Sequence, residues 1–522
     1  MEFLKKYLAQ IIWTVSVLCE IFLVGAVMYL DLLPTKLLVV AILIAVLIAV
    51  LNAMLLLSRV RKVKGKKNTW KRSVGYVLSA VIAFVSIFGS AYVLKAKSTI
   101  NSVTETSDIV ATLGVYVLAD NDAEEIKDTK DYNFGYLGTY TEERNEYAIE
   151  ELNKELSTTI SANEEANIYE LAESLYSGSE DAIILDEAFV SVLTEVEESD
   201  EQSEDSGDEE DSSSSIDVTK YTGFETETKL LYEINIYATE EDDEEEKDIS
   251  KDTFVIYISG SDTRSNTLST ARSDVNILAE VNPTTHEVLL LNTPRDYYIP
   301  NPAGGGAKDK LTHCGIYGID NSMEALDQLY DIDVDYYVQI NFTGFKNLID
   351  SIGGITVESE YTFTSYIYGG TYHYTEGSNT LNGAEALAFA RERYEVPGGD
   401  ETRGKHQMAV IQAVIDKVSS STTILSNYSD MMSSLEGMFV TSFTGDEIST
   451  LVKMQLDEGV SWDIHTFAVS GTGGKSTTYS NPSQKSYVMY PNEDMVAYAQ
   501  KIVDKVEAGE DLTDEDVTYT AE

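Results

Sequence analysis

Beyond residue 94 the chain carries 26 basic residues, and only seven of them are arginine. Six of the seven, Arg264, Arg272, Arg295, Arg391, Arg393 and Arg403, fall between positions 264 and 403, while the 19 lysines are scattered throughout. A guanidinium is a planar, always-charged fork that grips phosphate or carboxylate through two parallel hydrogen bonds. Surface ion pairing would spread arginine as evenly as lysine, so confinement to one window points to a shared anionic ligand. Aspartates accompany them: Asp262 in Ser261-Asp262-Thr263-Arg264, Asp274 two residues after Arg272, and Asp296 directly after Thr293-Pro294-Arg295. These segments flank apolar, β-rich runs, and loops at strand ends are where α/β folds place ligands. Arg391 and Arg393 close a helical pattern at Ala390-Arg391-Glu392-Arg393. Arg403 and Gln407 are four apart and so share one face of the next helix. Arginines interleaved with aspartates describe a pyrophosphate site with a divalent metal, since Mg²⁺ takes one or two carboxylates and completes its shell with water and phosphate oxygens.

Other chemistries find no residues to run them. Gly304-Gly305-Gly306 lacks the Gly-Lys-Ser/Thr that completes a nucleotide-phosphate loop. His313 and His406 lie near the arginine window without zinc-site spacing, and no Gly-x-Ser-x-Gly elbow is present. Two cysteines, Cys19 and Cys314, support neither a disulfide scaffold nor a Cys-based zinc site. A formal net charge of −51 excludes a general nucleic-acid binder.

The elements that must hold the arginines read as alternating strands and helices. Residues 253–259, 274–281, 287–292, 335–340 and 464–470 pattern as strands; 323–330, 342–352, 383–390, 403–418 and 492–506 pattern as helices. This predicts an α/β layer domain, a central sheet flanked by helices, over residues 251–506. Upstream, residues 96–195 predict a small α/β accessory domain: a strand at 109–118, helices at 140–155 and 163–177, and a short strand at 182–185. It shows no catalytic constellation and is expected to bind or position. Residues 195–215 hold 11 acids and no lysine or arginine. Such a segment buries too little apolar area to offset its ordering entropy, so 196–250, including the acidic run 240–246, reads as an acidic linker with a connecting strand. The end, 507–522, reads as a polar, frayed tail.

The first 95 residues are different. They hold 11 of the 37 basic residues and only three of the 88 acids through position 94, leaving a net −59 for the remainder. Apolar runs at 11–30, 37–57 and 73–94 each approach the ~20 residues a helix needs to cross a bilayer. Three such runs are too many for a removable signal peptide. Arg59, Arg61, Lys62, Lys64, Lys66, Lys67, Lys71 and Arg72 between the second and third place that loop in the cytoplasm, with Lys5 and Lys6 putting the N-terminus on the same side. The expectation is a multi-pass cell-membrane anchor with everything after residue 94 outside. A large exported region with a single thiol suits a Gram-positive-like surface. Glu20, mid-span, reads as a protonated acid facing another helix.

With the motifs in hand, a resemblance becomes specific. Ser261-Asp262-Thr263-Arg264, Arg272-Ser273-Asp274, Thr293-Pro294-Arg295-Asp296, Ile352-Gly353-Gly354-Ile355, Leu381-Asn382-Gly383, Ala390-Arg391-Glu392-Arg393 and Arg403 with Gln407 follow in the order found in the LytR-CpsA-Psr family. The resemblance is strong over 250–420 and weaker to about 505; three spans and an accessory module make it similar to the capsule-associated CpsA branch. It implies a Mg²⁺- or Mn²⁺-dependent phosphotransferase that moves a polyprenyl-pyrophosphate-linked glycopolymer, capsular polysaccharide or teichoic acid, onto peptidoglycan and releases polyprenyl phosphate. It further implies Asp262 and Asp274 as metal ligands, Arg272, Arg295, Arg391, Arg393 and Arg403 as the pyrophosphate clamp, and Gln407 as a neutral contact. Asp400 would orient an arginine or help the acceptor, and an apolar slot between sheet and helices would take the lipid. Implied partners are the lipid-linked glycan, peptidoglycan, the membrane and capsule polymerase or chain-length proteins. Many relatives carry Arg where this chain has His406. Two other readings stand beside it: a lipid-pyrophosphate phosphatase, and a non-catalytic assembly or regulatory protein that senses lipid-linked polymer.

Overall fold

The protein is described by a computed structural model, covering residues 2–57, 62–63, 66–67, 70–104, 109–138, 142–194, 218–237, 247–261, 271–419, 431, 433–435 and 437–520. It folds as two units, one comprising residues 1–104, 415–436 and 443–461, the other 105–414, 437–442 and 462–522.

The first unit is built on three helices, α1 (Glu2–Leu30), α2 (Thr35–Leu56) and α3 (Trp70–Thr104). Segments Tyr7–Leu30, Thr35–Leu56 and Trp70–Ser98 are each long and apolar enough to span a membrane. Helices in lipid gain little from apolar contact and associate through small and polar side chains. Here Asn52, fully buried, donates through Nδ2 to Ser79 Oγ at 2.8 Å and Ser16 Oγ at 3.3 Å, so one residue ties all three helices. Glu20 is also turned inward, as its mid-span position predicts. The 196–250 acidic stretch falls largely outside the described residues, as do Arg59, Arg61 and Lys64 of the basic loop between the second and third spans.

In the second unit the accessory sheet has the order β3-β2-β4-β1-β5: β1 (Ile109–Leu118), β2 (Asn133–Leu137), β3 (Ser161–Glu165), β4 (Ala182–Asp186) and β5 (Thr228–Tyr237). Helices α4 (Glu142–Leu156), α5 (Ile168–Ser177) and α6 (Glu187–Leu193) accompany it. The expected helix 163–177 is corrected. Residues up to Glu165 are an edge strand parallel to β2, and the helix starts only after Asn167, whose side chain accepts from the backbone N–H of Tyr169 and Glu170. An Asn in extended conformation supplies the free acceptor that a helix start needs. The connecting strand, β5, pairs antiparallel with β1 and completes this sheet.

The arginine window sits on a six-stranded mixed sheet, order β10-β9-β6-β7-β8-β11. Its strands are β6 (Phe254–Ser261), β7 (Ser273–Asn282), β8 (Glu287–Asn292), β9 (Tyr336–Asn341), β10 (Phe439–Thr441) and β11 (Asp463–Ala468). β6 to β8 form an antiparallel meander; β9 joins β6, and β11 joins β8, in parallel. Flanking helices are α7 (Ile319–Tyr330), α8 (Phe342–Ser351), α9 (Gly383–Arg391), α10 (Asp400–Ser419) and α12 (Glu493–Glu507); α11 (Gly445–Glu458) belongs to the first unit. The fold is therefore a mixed α/β layer, as the alternating pattern predicts. The 507–522 segment is not simply a polar tail: Leu512 is buried, and Val517 and Tyr519 pack on the same core as α12. Three apolar side chains among acids suffice to fold it back.

Candidate functional site

Sheet direction decides where the arginines meet. β6 and β8 end, and the antiparallel β7 begins, on one edge, since Ser261 pairs with Ser273 and Asn292 with Ile277. Thr293 N–H extends the ladder to the Asn276 carbonyl at 2.9 Å, which brings Arg295 beside Asp274. Two helices approach the same edge. α9 is capped by Asn382 and Glu385 in a reciprocal box, a device that satisfies two backbone donors at once. It begins at Gly383 because a Cβ there would lie 2.2 Å from the Lys346 carbonyl of α8. α10 comes equally close to β8: a Cβ on Gly404 would lie 2.5 Å from Asn292 Oδ1. That approach sets Arg403 and Gln407, one face of α10, against the ends of β7 and β8.

The result is two ion-pair clusters, one around Asp274 and one around Asp400, coupled electrostatically through Arg403. Asp274 accepts from Arg295 Nη1 at 2.7 Å through one oxygen, and its other oxygen lies 3.6 Å from Arg391 Nη2. Arg403 Nη2 is 3.3 Å, and Arg393 Nη1 3.8 Å, from the same oxygen of Asp400. Burial pushes the Asp274 carboxyl up, but Arg295, Arg391, Arg272 and Arg403 together hold it below the ordinary carboxylate range. Arg403, with a side chain only 14% exposed, is pulled down by burial and by the cations Arg295 and Arg393, with Asp400 and Asp274 opposing. Gln407 is buried, and a cleft lined by Asp274, Asn292, Arg295, Asp400, Arg403 and Gln407 opens among these groups. Five guanidiniums against Asp274, Asp296 and Asp400 leave a surplus of positive charge in this corner of an acidic chain.

Of the expected residues, Arg272, Asp274, Arg295, Arg391, Arg393, Asp400, Arg403 and Gln407 gather here, while Asp262 and Arg264 lie outside the described residues. Asp274 is a single carboxylate, so it fits a divalent cation only in a shell otherwise made of phosphate and water oxygens. Among the described residues no group of three or more His, Cys, Asp or Glu could hold a metal.

His406 takes no part in either cluster. It is buried, donates from Nδ1–H to the Phe389 carbonyl at 3.1 Å, and stacks on Phe389 with centroids 4.0 Å apart. Burial lowers its pKa from the ordinary histidine value, and its contacts make it a packing group of the aromatic layer formed with Phe363 and Phe389. His313 is buried too, its Nδ1 2.7 Å from Asp309.

Two charged residues that sequence reasoning passed over shape the site. Glu392, 2% exposed, turns away from its arginine neighbours. Its Oε1 accepts from the backbone N–H of Arg393, Tyr394 and Glu395 at 2.8–3.1 Å. An acid between two arginines suggests a salt bridge; the extended backbone at that position instead sends alternate side chains to opposite sides. Lys310, also buried, lies 3.6 Å from Asp296. A fully buried lysine is rare without a partner, and no local pattern marks one.

Residues 221–496 match the LytR_cpsA_psr family model, more than half of the chain. The chain belongs to the LytR-CpsA-Psr family. Among its relatives is the polyisoprenyl-teichoic acid–peptidoglycan teichoic acid transferase TagU of Bacillus subtilis (strain 168), 35% identical over 227 residues that make up 43% of this chain and 71% of that protein. TagU of Bacillus cereus (strain ATCC 14579) is 34% identical over 211 residues, 40% of this chain and 67% of the relative. Among solved structures, B. subtilis TagU is 28% identical and covers 52% of this chain and 99% of its own, with a TM-score of 0.38. TagT bound to LIIa-WTA gives 26%, 51% and 94%, with a TM-score of 0.40. The family match includes the whole arginine site and begins within the accessory sheet, at the approach to β5.

Proposed function

We propose that this family member is a membrane-anchored transferase that moves a polyprenyl-pyrophosphate-linked teichoic acid, or a similar glycopolymer, onto peptidoglycan. The observation that carries the reading is the meeting of Arg272, Arg295, Arg391, Arg393 and Arg403 around Asp274 and Asp400 at one sheet edge. The names of the curated relatives support the polymer class. An acceptor hydroxyl oxygen of peptidoglycan attacks the glycan-side phosphorus, forming a phosphodiester. The phosphoanhydride P–O bond breaks, polyprenyl phosphate leaves with its electron pair, and the hydroxyl proton passes to Asp400 or water. Such transfers need positioning and charge neutralisation rather than a covalent intermediate. Arg391 and Arg393 flank the transferred group, Arg403 and Arg295 hold the departing phosphate, and Gln407 adds an uncharged donor. Mg²⁺ or Mn²⁺, when bound, would neutralise phosphate charge at Asp274, with Asp262 as the second carboxylate.

Side chains on β9, next to edge strand β10, and on helices α8 and α10 suit the lipid: Val338 and Ile340 of β9, Phe345 and Leu348 of α8, and Ile411 and Val414 of α10 are only partly covered. A layer of this kind leaves apolar surface for isoprene units, each buried CH₂ contributing ~0.8 kcal/mol. The N-terminus is cytoplasmic and the catalytic domain extracellular, which sets the site beside a substrate that stays in the outer leaflet.

The test combines purified full chain, lipid-linked teichoic acid and peptidoglycan. Wall-linked polymer is the expected product. Free phosphorylated polymer would make the protein a phosphatase, and donor binding without turnover would make it a sensor.

A further inference from the structure

We propose that Lys310 and Asp296 form a buried positioning pair that sets how far Arg295 reaches toward the pyrophosphate. The inference rests on the reading of this corner as a pyrophosphate site and adds a part to it.

Asp296 follows Arg295 directly and is 6% exposed. One carboxylate oxygen lies 3.5 Å from Arg295 Nε, the other 3.6 Å from Lys310 Nζ. Arg295 thus carries a carboxylate at each end, Asp296 along its Nε edge and Asp274 at Nη1. These two anions compete for one guanidinium. Lys310 settles the competition by pairing with the other oxygen of Asp296 at 3.6 Å, which leaves the outer end of Arg295 for Asp274 and for an arriving phosphate. Without Lys310, Asp296 would be a buried anion with Arg295 as its nearest cation, and the guanidinium would be drawn inward.

The lysine is itself held rigidly. Thr312 N–H donates to the Arg295 carbonyl at 2.8 Å and Leu311 N–H to the Tyr297 carbonyl at 2.9 Å, so the segment carrying Lys310 is bonded to the segment carrying Arg295. Asp309, fully buried, accepts from the backbone N–H of Lys310 and Ser480 and pairs with His313 Nδ1. Seven residues on, Tyr317 stands edge-on to Phe189 in the core of the accessory sheet, with ring centroids 5.5 Å apart. The accessory domain is in this way part of the scaffold behind Arg295.

The experiment titrates geranylgeranyl pyrophosphate into the full chain in detergent. Lys310→Met is expected to weaken binding at least tenfold, and Lys310→Arg, which keeps the charge, to stay within threefold of the unmodified chain. The decisive variant neutralises both members: Lys310→Met with Asp296→Asn is expected to recover to within threefold, because no buried anion is left to pull on Arg295. A residue that merely fills space would give losses that multiply. The proposal is overturned if Lys310→Met binds within threefold of the unmodified chain, or if the double variant is no better than Lys310→Met. Should Lys310→Met fail to fold, Lys310→Gln takes its place, with the same loss expected alone and the same recovery expected on adding Asp296→Asn, and the same two outcomes overturn the proposal. Absence of binding by the unmodified chain defeats the pyrophosphate reading and this inference together; binding that ignores Lys310 defeats only the pair.

Discussion

Arg403→Ala separates a substrate-binding arginine from a structural one. In the fold its guanidinium pairs with Asp400 at 3.3 Å, but Asp400 keeps a second cation, Arg393, at 3.8 Å. Arg403 is also nearly buried among like charges, and burial together with Arg295 and Arg393 disfavours its charged form. Removing it therefore breaks no sole partnership and relieves repulsion. Stability is expected to hold within about 0.5 kcal/mol or to rise, the usual pattern when a site is built for a ligand rather than for the fold. Transfer should behave oppositely. A charge-assisted hydrogen bond to phosphate is worth roughly 1.5–3 kcal/mol, so kcat/KM should fall about ten- to a hundredfold. Arg403→Lys restores charge without the planar fork and should fall between. The assays are thermal unfolding in detergent and polymer transfer measured on the same preparations. Loss of several kcal/mol of stability with transfer intact would refute the reasoning and make Arg403 a structural group.

Further expectations concern other groups. Glu280 is 2% exposed, and burial, with Glu507 and Asp335 nearby, pushes its carboxyl up to about 9. Folded chains then hold a proton that unfolded chains lose near 4.5, so its contribution is full below pH 4.5 and falls by up to ~1.4 kcal/mol per pH unit until about pH 9; Glu280→Gln should flatten that slope in urea unfolding, and an unchanged slope would count against it. Gly404→Ala should push α10 off Asn292 and cut transfer by at least tenfold with a smaller stability loss, read from the same two assays. Asp274→Ala should abolish the Mg²⁺ or Mn²⁺ dependence of transfer along with most activity; full activity of the unmodified chain in excess chelator would remove the metal from the account.

Much of this was legible in the residues, for physical reasons. Arginine confined to one window is a signal that needs no tertiary information, and β8 is read at its true bounds, Glu287–Asn292, because a strand buried on both faces is a continuous apolar run. The spans are legible because lipid imposes length and composition together. Edge strand β3 was not, since Ser161–Glu165 is polar and takes its conformation from pairing with β2. Glu392 and Lys310 were not, because the worth of a buried charge lies in partners that the chain order does not reveal. His406 follows the arginine window closely, and only its stacking on Phe389 shows that its side chain belongs to the apolar layer.

The central claim is transfer of an intact phosphorylated polymer to a wall acceptor, and its most direct measurement is stoichiometry. Full chain reconstituted in vesicles with polyprenyl-pyrophosphate-linked teichoic acid and peptidoglycan should release one polyprenyl phosphate for each polymer that becomes wall-linked, with neither product formed when Arg391 and Arg393 are both alanine. Polyprenyl phosphate released without linked polymer, or linkage that persists in that double variant, would contradict it.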